Sequence, residues 1–549
     1  MKPRAESWMP RKPWMPWMQR TAVSLLSCAG MALAAVTALA APAPDDARLV
    51  DAVRQGDRDA VRSLLAERVD VNAPLPDGST ALAWAAHGND LDTAEMLLGA
   101  GADPNAANDY GVTPLSLACT NGNARMVGKL LEAGADANLA QLTGETPLMT
   151  CSRAGSLEAV QAMLARDGVN VEARETRRGQ TALMWAVAAK HAAVAKALID
   201  HGADVNARSR VLETFNQLKV EYYGKDVHYP EQAGGFTPLL FAARVGDVDS
   251  ARVLLAAGAK VNESSPEDGT ALVIATASGH EDLARFLLDN GADPNATDAV
   301  GATPLHWALQ EGLRGIVAGR TGPTDRFWNR DNMPELVRAL LAHGADPNAK
   351  IQKEFHPYND PLFAHNQGNY LPQISIVGAT PFLLAAASGD TGSMRVLVEG
   401  RADPLLSTTD GTTPLMLAAG MGREPVSRSE EKLAKYREAA QMALNLGGDV
   451  HAVGGGQRTA LHGAALMGDP EMVKFLVAQG ADLEAKDQYG ETALTIALGD
   501  PGGFVFRSRG EGRYDDRFRR PKENPKLAEI LLELGATPYT GPIRDRSGE

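Results

Sequence analysis

Apolar and polar positions along the chain alternate in a motif that returns at a fixed interval. A short apolar stretch opens on threonine, as in Thr80-Ala81-Leu82, Thr113-Pro114-Leu115 and Thr146-Pro147-Leu148, spaced by 33 residues. About eighteen residues after each threonine comes an apolar pair such as Leu97-Leu98, Leu130-Leu131 or Leu287-Leu288. A polar turn follows, as in Gly101-Ala102-Asp103-Pro104-Asn105 and Gly291-Ala292-Asp293-Pro294-Asn295. Each part predicts an element. The threonine caps a short helix and tolerates proline at its first position. Small residues such as Ala85-Ala86 let that helix approach its neighbours, and the leucine pair is the buried stripe of a second, antiparallel helix. Glycine ends the second helix in a left-handed conformation, and the Asp/Asn segment turns the chain outward. Further threonines of this kind stand at 181, 237, 270, 303, 380, 413, 459 and 492, eleven in all. One such unit has no core of its own and must stack on copies of itself.

The pattern resembles the ankyrin repeat. The hallmark tetrapeptide is intact as Thr303-Pro304-Leu305-His306 and nearly so as Thr459-Ala460-Leu461-His462, and the GADVNA turn is intact from Gly202 to Ala207. A degenerate first unit, Ala47 to Asn72, lacks the threonine and reads as an N-terminal cap, with Val61 and Leu64-Leu65 on its buried stripe. The expected fold is therefore mainly α: one ankyrin-repeat solenoid over residues 46–549, of about twelve helix-turn-helix units with β-hairpin fingers. The resemblance implies that His306 and His462 hydrogen-bond the adjoining hairpin. It further implies a surface of fingers and first helices that grips a protein partner. The fourth residue after the threonine (Trp84, Trp185, Trp307) is a packing position between helix and finger.

The period breaks in five places. Finger insertions are expected near 209–234 and 351–377, and insertions between paired helices near 312–333, 422–435 and 499–523. The three inter-helix insertions fall in every second unit, so they should emerge along one edge. They carry a local excess of basic side chains, which either lie against an acidic body or form an edge for a negatively charged partner. The finger insertions concentrate aromatics (Tyr222, Tyr223, Tyr229; Phe355, Tyr358, Phe363, Tyr370, with His228 and His356) in a chain that is only 5% aromatic. Aromatics suit binding hot spots, or these segments fold back as lids.

Charge and cysteine content refine this picture. The chain has 549 residues and a formal charge of −14; its first forty residues hold five basic side chains against one acid, so the remainder carries −18. Such a body repels phosphate and argues against general nucleic-acid binding. The basic stretch to Arg20, the apolar run Ala22–Leu39 and the small residues of Ala38-Leu39-Ala40 read as a signal peptide over residues 1–40. Cleavage near Ala40 would place the mature chain in a periplasm or outside the cell, without a membrane span; an uncleaved anchor, or a lipoprotein box at Leu25-Leu26-Ser27-Cys28, is the alternative. Cys119 and Cys151 then remain. They replace small residues in neighbouring first helices, and stacking at helix-packing distance should hold their Cα atoms beyond the roughly 7 Å a disulfide allows, leaving two buried thiols.

No HExxH, P-loop, G-x-S-x-G or Cys-x-x-Cys motif is present. His356, Asp360, His365 and His228 lack ligand spacing, and neither cofactor nor metal nor small-molecule substrate is expected. The expected function is noncatalytic binding of a protein partner in the periplasm of a Gram-negative bacterium, by resemblance to exported bacterial ankyrin proteins. An accessory or immunity factor restraining one enzyme, and an enzyme with its site among the insertions, are the alternatives. Candidate contacts are residues seven and eight past each threonine (Arg153, Arg244, Gln310, Met467) together with Arg326, Phe327, Trp328, Arg330 and the aromatics of the two fingers.

Overall fold

The computed structural model describes residues 47–220, 225–317, 330–354, 374–422, 429–499 and 524–540, with the side chains of 214–232 and 314–317 left out. Paired antiparallel helices repeat along the chain, from Ala47–Gln55 and Arg58–Ala66 to Ala493–Ala497 and Pro525–Glu533. Among the described residues no helix is long and apolar enough to cross a membrane.

The threonines act as the spacing predicts. Thr113 Oγ1 accepts from the Ser116 N–H at 3.1 Å, and Thr146 and Thr380 accept from the third residue of their helices in the same way, at 3.3 Å each. Proline follows at the first helical position in the helices beginning at Pro114, Pro147, Pro238, Pro304, Pro381 and Pro414. The leucine stripe is buried: Leu97, Leu130, Leu254, Leu287 and Leu340 are solvent-inaccessible. Gly101 and Gly291, which end second helices, have φ of 90° and 84°, where a side chain would be strained.

Units are joined by polar ladders as well as by the core. An asparagine in many of the outward turns bonds the next turn with both ends of its amide. Asn72 Nδ2 donates to Gly101 O at 3.2 Å while its Oδ1 accepts from Asp103 N at 2.7 Å. Asn105, Asn262, Asn295 and Asn348 repeat the pair of bonds. The insertions do not interrupt this ladder: Asn206 reaches Gly258 O and Lys260 N across the finger insertion. The finger tips form a second ladder from backbone alone. Leu142 N donates to Tyr110 O at 3.0 Å, Thr176 N to Thr143 O at 2.9 Å and Arg210 N to Arg178 O at 2.6 Å.

The inserted segments refine the expected boundaries. The first finger insertion is an antiparallel hairpin of β1 (Val211–Val220) and β2 (Lys225–Gly234), in register from Val211 opposite Gly234 to Val220 opposite Lys225. Three guanidiniums secure its base: Arg174 donates to Arg208 O, Arg208 to Gly235 O and Ser264 O, and Arg210 to Thr176 O. The block expected near 312–333 begins as a helix, Gln310–Val317, stacked on Pro381–Ser388 of the next unit; a Cβ at Gly312 would lie 2.0 Å from Leu384 O. Near 422–435 the extra residues lengthen the second helix, which runs Glu430–Asn445, sixteen residues against nine in Leu91–Gly99. In the second finger insertion Ile351, Ile374 and Ile376 are buried and belong to the core. Residues 318–329, 355–373, 423–428 and 500–523 lie outside the described residues, so the positive edge and the aromatic lid fall largely there.

The expectation of two free thiols is overturned. Cys119 and Cys151 form a disulfide with Cα atoms 4.4 Å apart. Helix-axis spacing was the wrong ruler. The fifth residue after the threonine is alanine in every unit except at Cys151, and with so little side chain between them the first helices meet almost backbone to backbone. Cys119 occupies the sixth position of one unit and faces the fifth of the next.

Candidate interaction surface

The first helices and fingers present the face on which the candidate contacts fall. His306 and His462 lock two units in place. Each ring accepts on Nδ1 from the threonine N–H at 3.1 Å, and Nε2 meets the next finger, Ala379 O at 3.1 Å and Glu491 O at 3.0 Å. Burial holds both imidazoles neutral, pushing His306 down to about 4. Trp185 and Trp307 are buried and Trp84 is half-buried. Trp307 Nε1 donates at 2.9 Å to Asp298 Oδ2, and burial raises that carboxyl to about 6. The sequence expectation for all five side chains is met.

Arg153 lies over the Trp185 ring, 4.7 Å from its centroid, and Arg244 over Phe236 at 4.1 Å. A cation–π contact of this kind favours a fixed position for the guanidinium over the ring face. Arg244 also pairs with Asp268 at 3.4 Å. The Arg153 and Arg244 carbonyls face His191 Nε2 and His280 Nε2, at 3.1 and 3.2 Å. Those rings occupy the space beside Gly155 and Gly246, which have φ of 78° and 71°; a Cβ there would sit 2.4 Å from the imidazole.

Two candidates are not surface contacts. Gln310 is fully buried, its Nε2 donating to Ala277 O at 2.7 Å and its Oε1 lacking a partner. It starts the inserted helix, so its side chain turns into the stack. Met467 is buried against Gly420 of the preceding unit; a Cβ at that glycine would meet its Cγ at 2.1 Å. Arg330 is exposed and lies across Gly279. Tyr229 is on β2, opposite Asn216, with its side chain undescribed. Tyr222, Tyr223, Arg326, Phe327, Trp328, Phe355, His356, Tyr358, Phe363 and Tyr370 lie outside the described residues.

The structure adds contacts that periodicity passed over. Tyr110 and Leu142 protrude from adjacent finger tips, 68% and 73% exposed, and Tyr489 does the same further on. An apolar residue one or two places before the tip glycine, in an otherwise polar turn, is the signal that marks them. Arg177 and Arg178 occupy the next tip and are exposed.

The ankyrin-repeat family of three-copy arrays ("Ankyrin repeats (3 copies)") matches residues 49–141, 121–209, 207–298, 239–318 and 432–502, and the single ankyrin repeat matches 300–351. The chain is an ankyrin-repeat protein. Among similar proteins, human ankyrin repeat and SOCS box protein 18 is 30% identical over 237 residues, 35% of this chain and 50% of that protein. Bovine ankyrin repeat and SOCS box protein 3 is 28% identical over 180 residues, 31% of this chain and 32% of that protein. This ankyrin chain thus spans between about a third and a half of those relatives. The crystal structure of the human ASB11 ankyrin repeat domain shares 27% identity with a TM-score of 0.36, covering 45% of this chain and 98% of that domain.

Proposed function

We propose that this ankyrin-repeat protein is a noncatalytic scaffold that binds a protein partner outside the cytoplasm, in a periplasm or beyond. The observation that carries the binding role is a face of first helices and fingers on which Arg153 and Arg244 are held over aromatic rings and Tyr110 and Leu142 are exposed. The Cys119–Cys151 disulfide supports export, since such bonds persist in oxidising compartments. It agrees with the signal-peptide layout of residues 1–40. The bacterial setting rests on the family resemblance alone, because the relatives named above are animal proteins.

Affinity capture with the exported form tests the reading: one partner should co-purify in fixed stoichiometry. Deleting 355–373, which spares the buried Ile351, Ile374 and Ile376, should weaken capture if the aromatic finger takes part. Absence of any stoichiometric partner, or recovery of the chain only in the cytoplasmic fraction, refutes the respective half.

A further inference from the structure

In a chain of net charge −14, the face of helices and fingers carries a basic centre. In the six units from Thr80 to Thr270, the fourth and the seventh to ninth positions after the threonine hold no acid; their only Lys or Arg residues are Arg153, Lys190 and Arg244. The adjoining finger tip adds Arg177 and Arg178. These groups are neighbours: burial and repulsion from Arg177 and Arg244 depress the Arg178 guanidinium, and Lys190 and Arg330 both act on His280. Among the nearby acids, Glu145 lies in the field of Arg153 with its carboxyl raised by burial; the others are engaged. Glu175 accepts backbone N–H groups of Arg177, Arg178 and Gln180, Glu263 pairs with Arg208 and Lys260, and Asp268 pairs with Arg244. Among the described residues neither Arg178 nor Lys190 has an ion-pair partner. With two of its cations stacked on aromatic rings and its five basic groups outnumbering the carboxylates beside them, Glu145, Glu175 and Asp268, this surface favours negative charge.

We propose that this centre, Arg153, Arg177, Arg178, Lys190 and Arg244, docks an acidic segment of the protein partner, with the apolar tips of Tyr110 and Leu142 covering its flank. The proposal rests on the binding role put forward above and names the chemistry of its partner. A short Asp/Glu-rich segment fits better than a nucleic acid. A long polyanion would extend beyond the patch onto the acidic body within a Debye length of about 10 Å, whereas a short segment stays inside it.

Fluorescence anisotropy with a labelled peptide of alternating Asp and Glu tests this on the full exported chain. A Gln/Asn version of the peptide and a short single-stranded DNA serve as comparison probes. The acidic peptide should bind, weaken steeply with salt, and lose about tenfold or more in affinity in the Arg178→Glu/Lys190→Glu variant. Lys129→Glu/Lys196→Glu, on second helices, changes net charge equally and should leave binding within about twofold. Circular dichroism of both variants confirms that they fold; if the first pair does not, Arg178→Gln/Lys190→Gln replaces it. No binding of the acidic peptide, equal loss in both variants, or tighter binding of the DNA overturns the proposal. A stoichiometric partner still captured by the Arg178→Glu/Lys190→Glu variant would leave the scaffold role standing while sinking the basic centre.

Discussion

Reducing the Cys119–Cys151 bond should loosen two particular units and leave the rest of the array folded. The two cysteines are 32 residues apart in sequence, so the bond closes a loop of that length in the unfolded chain. Loop-closure entropy for such a length corresponds to about 3.5 kcal/mol at room temperature. Both side chains are fully buried, and alanine is the usual residue at the facing positions, so Cys119→Ala/Cys151→Ala should pack without strain. The difference between wild type and variant therefore reports mainly on the cross-link. In a stacked array that difference is felt locally, because stability is a sum over units and their interfaces. Hydrogen exchange should show faster opening of 113–165 in the double variant and in reduced wild type, with the units beyond Thr237 unchanged. A denaturant titration followed by a reporter in the same units should shift to lower midpoint by the corresponding amount. Titration of the unfolded, unreduced wild-type protein should find neither Cys119 nor Cys151 as a free thiol. Two free thiols in that assay, or identical exchange in 113–165 with and without the bond, would refute the reasoning.

Four further outcomes follow from individual contacts. His306 ionises near 4 when folded against about 6.5 unfolded, so its stabilising neutrality is lost as pH falls from 6.5 towards 4. Asp298 ionises near 6 when folded against about 3.8 unfolded, so its penalty is relieved over nearly the same window. The two slopes nearly cancel; Asp298→Asn should expose the histidine and make stability fall by about 2 kcal/mol between pH 6 and 4, read by denaturation at each pH. Gln310→Ala leaves Ala277 O without its 2.7 Å donor and should destabilise by about 1–3 kcal/mol in a denaturant titration while leaving partner capture intact. Arg458 and Asp487 are paired at 2.9 Å with 4% and 0% side-chain exposure; Arg458→Ala strands the carboxylate and should destabilise by about 3 kcal/mol by the same measurement. Leu405 is exposed where the preceding unit places the ladder asparagine Asn348, so Leu405→Asn should supply the link towards Gly447 and Asp449 and raise the midpoint by about 1 kcal/mol equivalent.

What the sequence disclosed and what it hid divide along a physical line. Features set by one unit alone were legible: the Thr113 cap, the Leu130 stripe, the Gly101 terminus and the His306 clasp each need only residues within a single period or its nearest neighbour. The asparagine ladder was half visible. Asn105 reads as a turn former, yet its amide, like that of Asn72, is spent bridging successive turns, a role that appears only once units are stacked. The misreadings have the same origin. Gln310 and Met467 occupy the register of surface contacts in a regular unit, but the insertion after the first helix gives Gln310 a new helix to begin, and Gly420 opens room for Met467 in the adjoining unit. Cys119 and Cys151 were judged by the distance between helix axes, whereas alanine at ten of the eleven fifth positions brings backbones much closer than that average. The proposed docking face is the least periodic part of all. Arg178 and Lys190 follow no repeat rule, and the significance proposed for them lies in what surrounds them: neighbouring helix positions without acids, a finger carboxylate, Glu175, already bonded to backbone N–H groups, and a body of opposite charge. A regular scaffold makes such departures informative, because nothing in the stacking of Trp185 on its neighbours requires a lysine at 190 or a second arginine at 178.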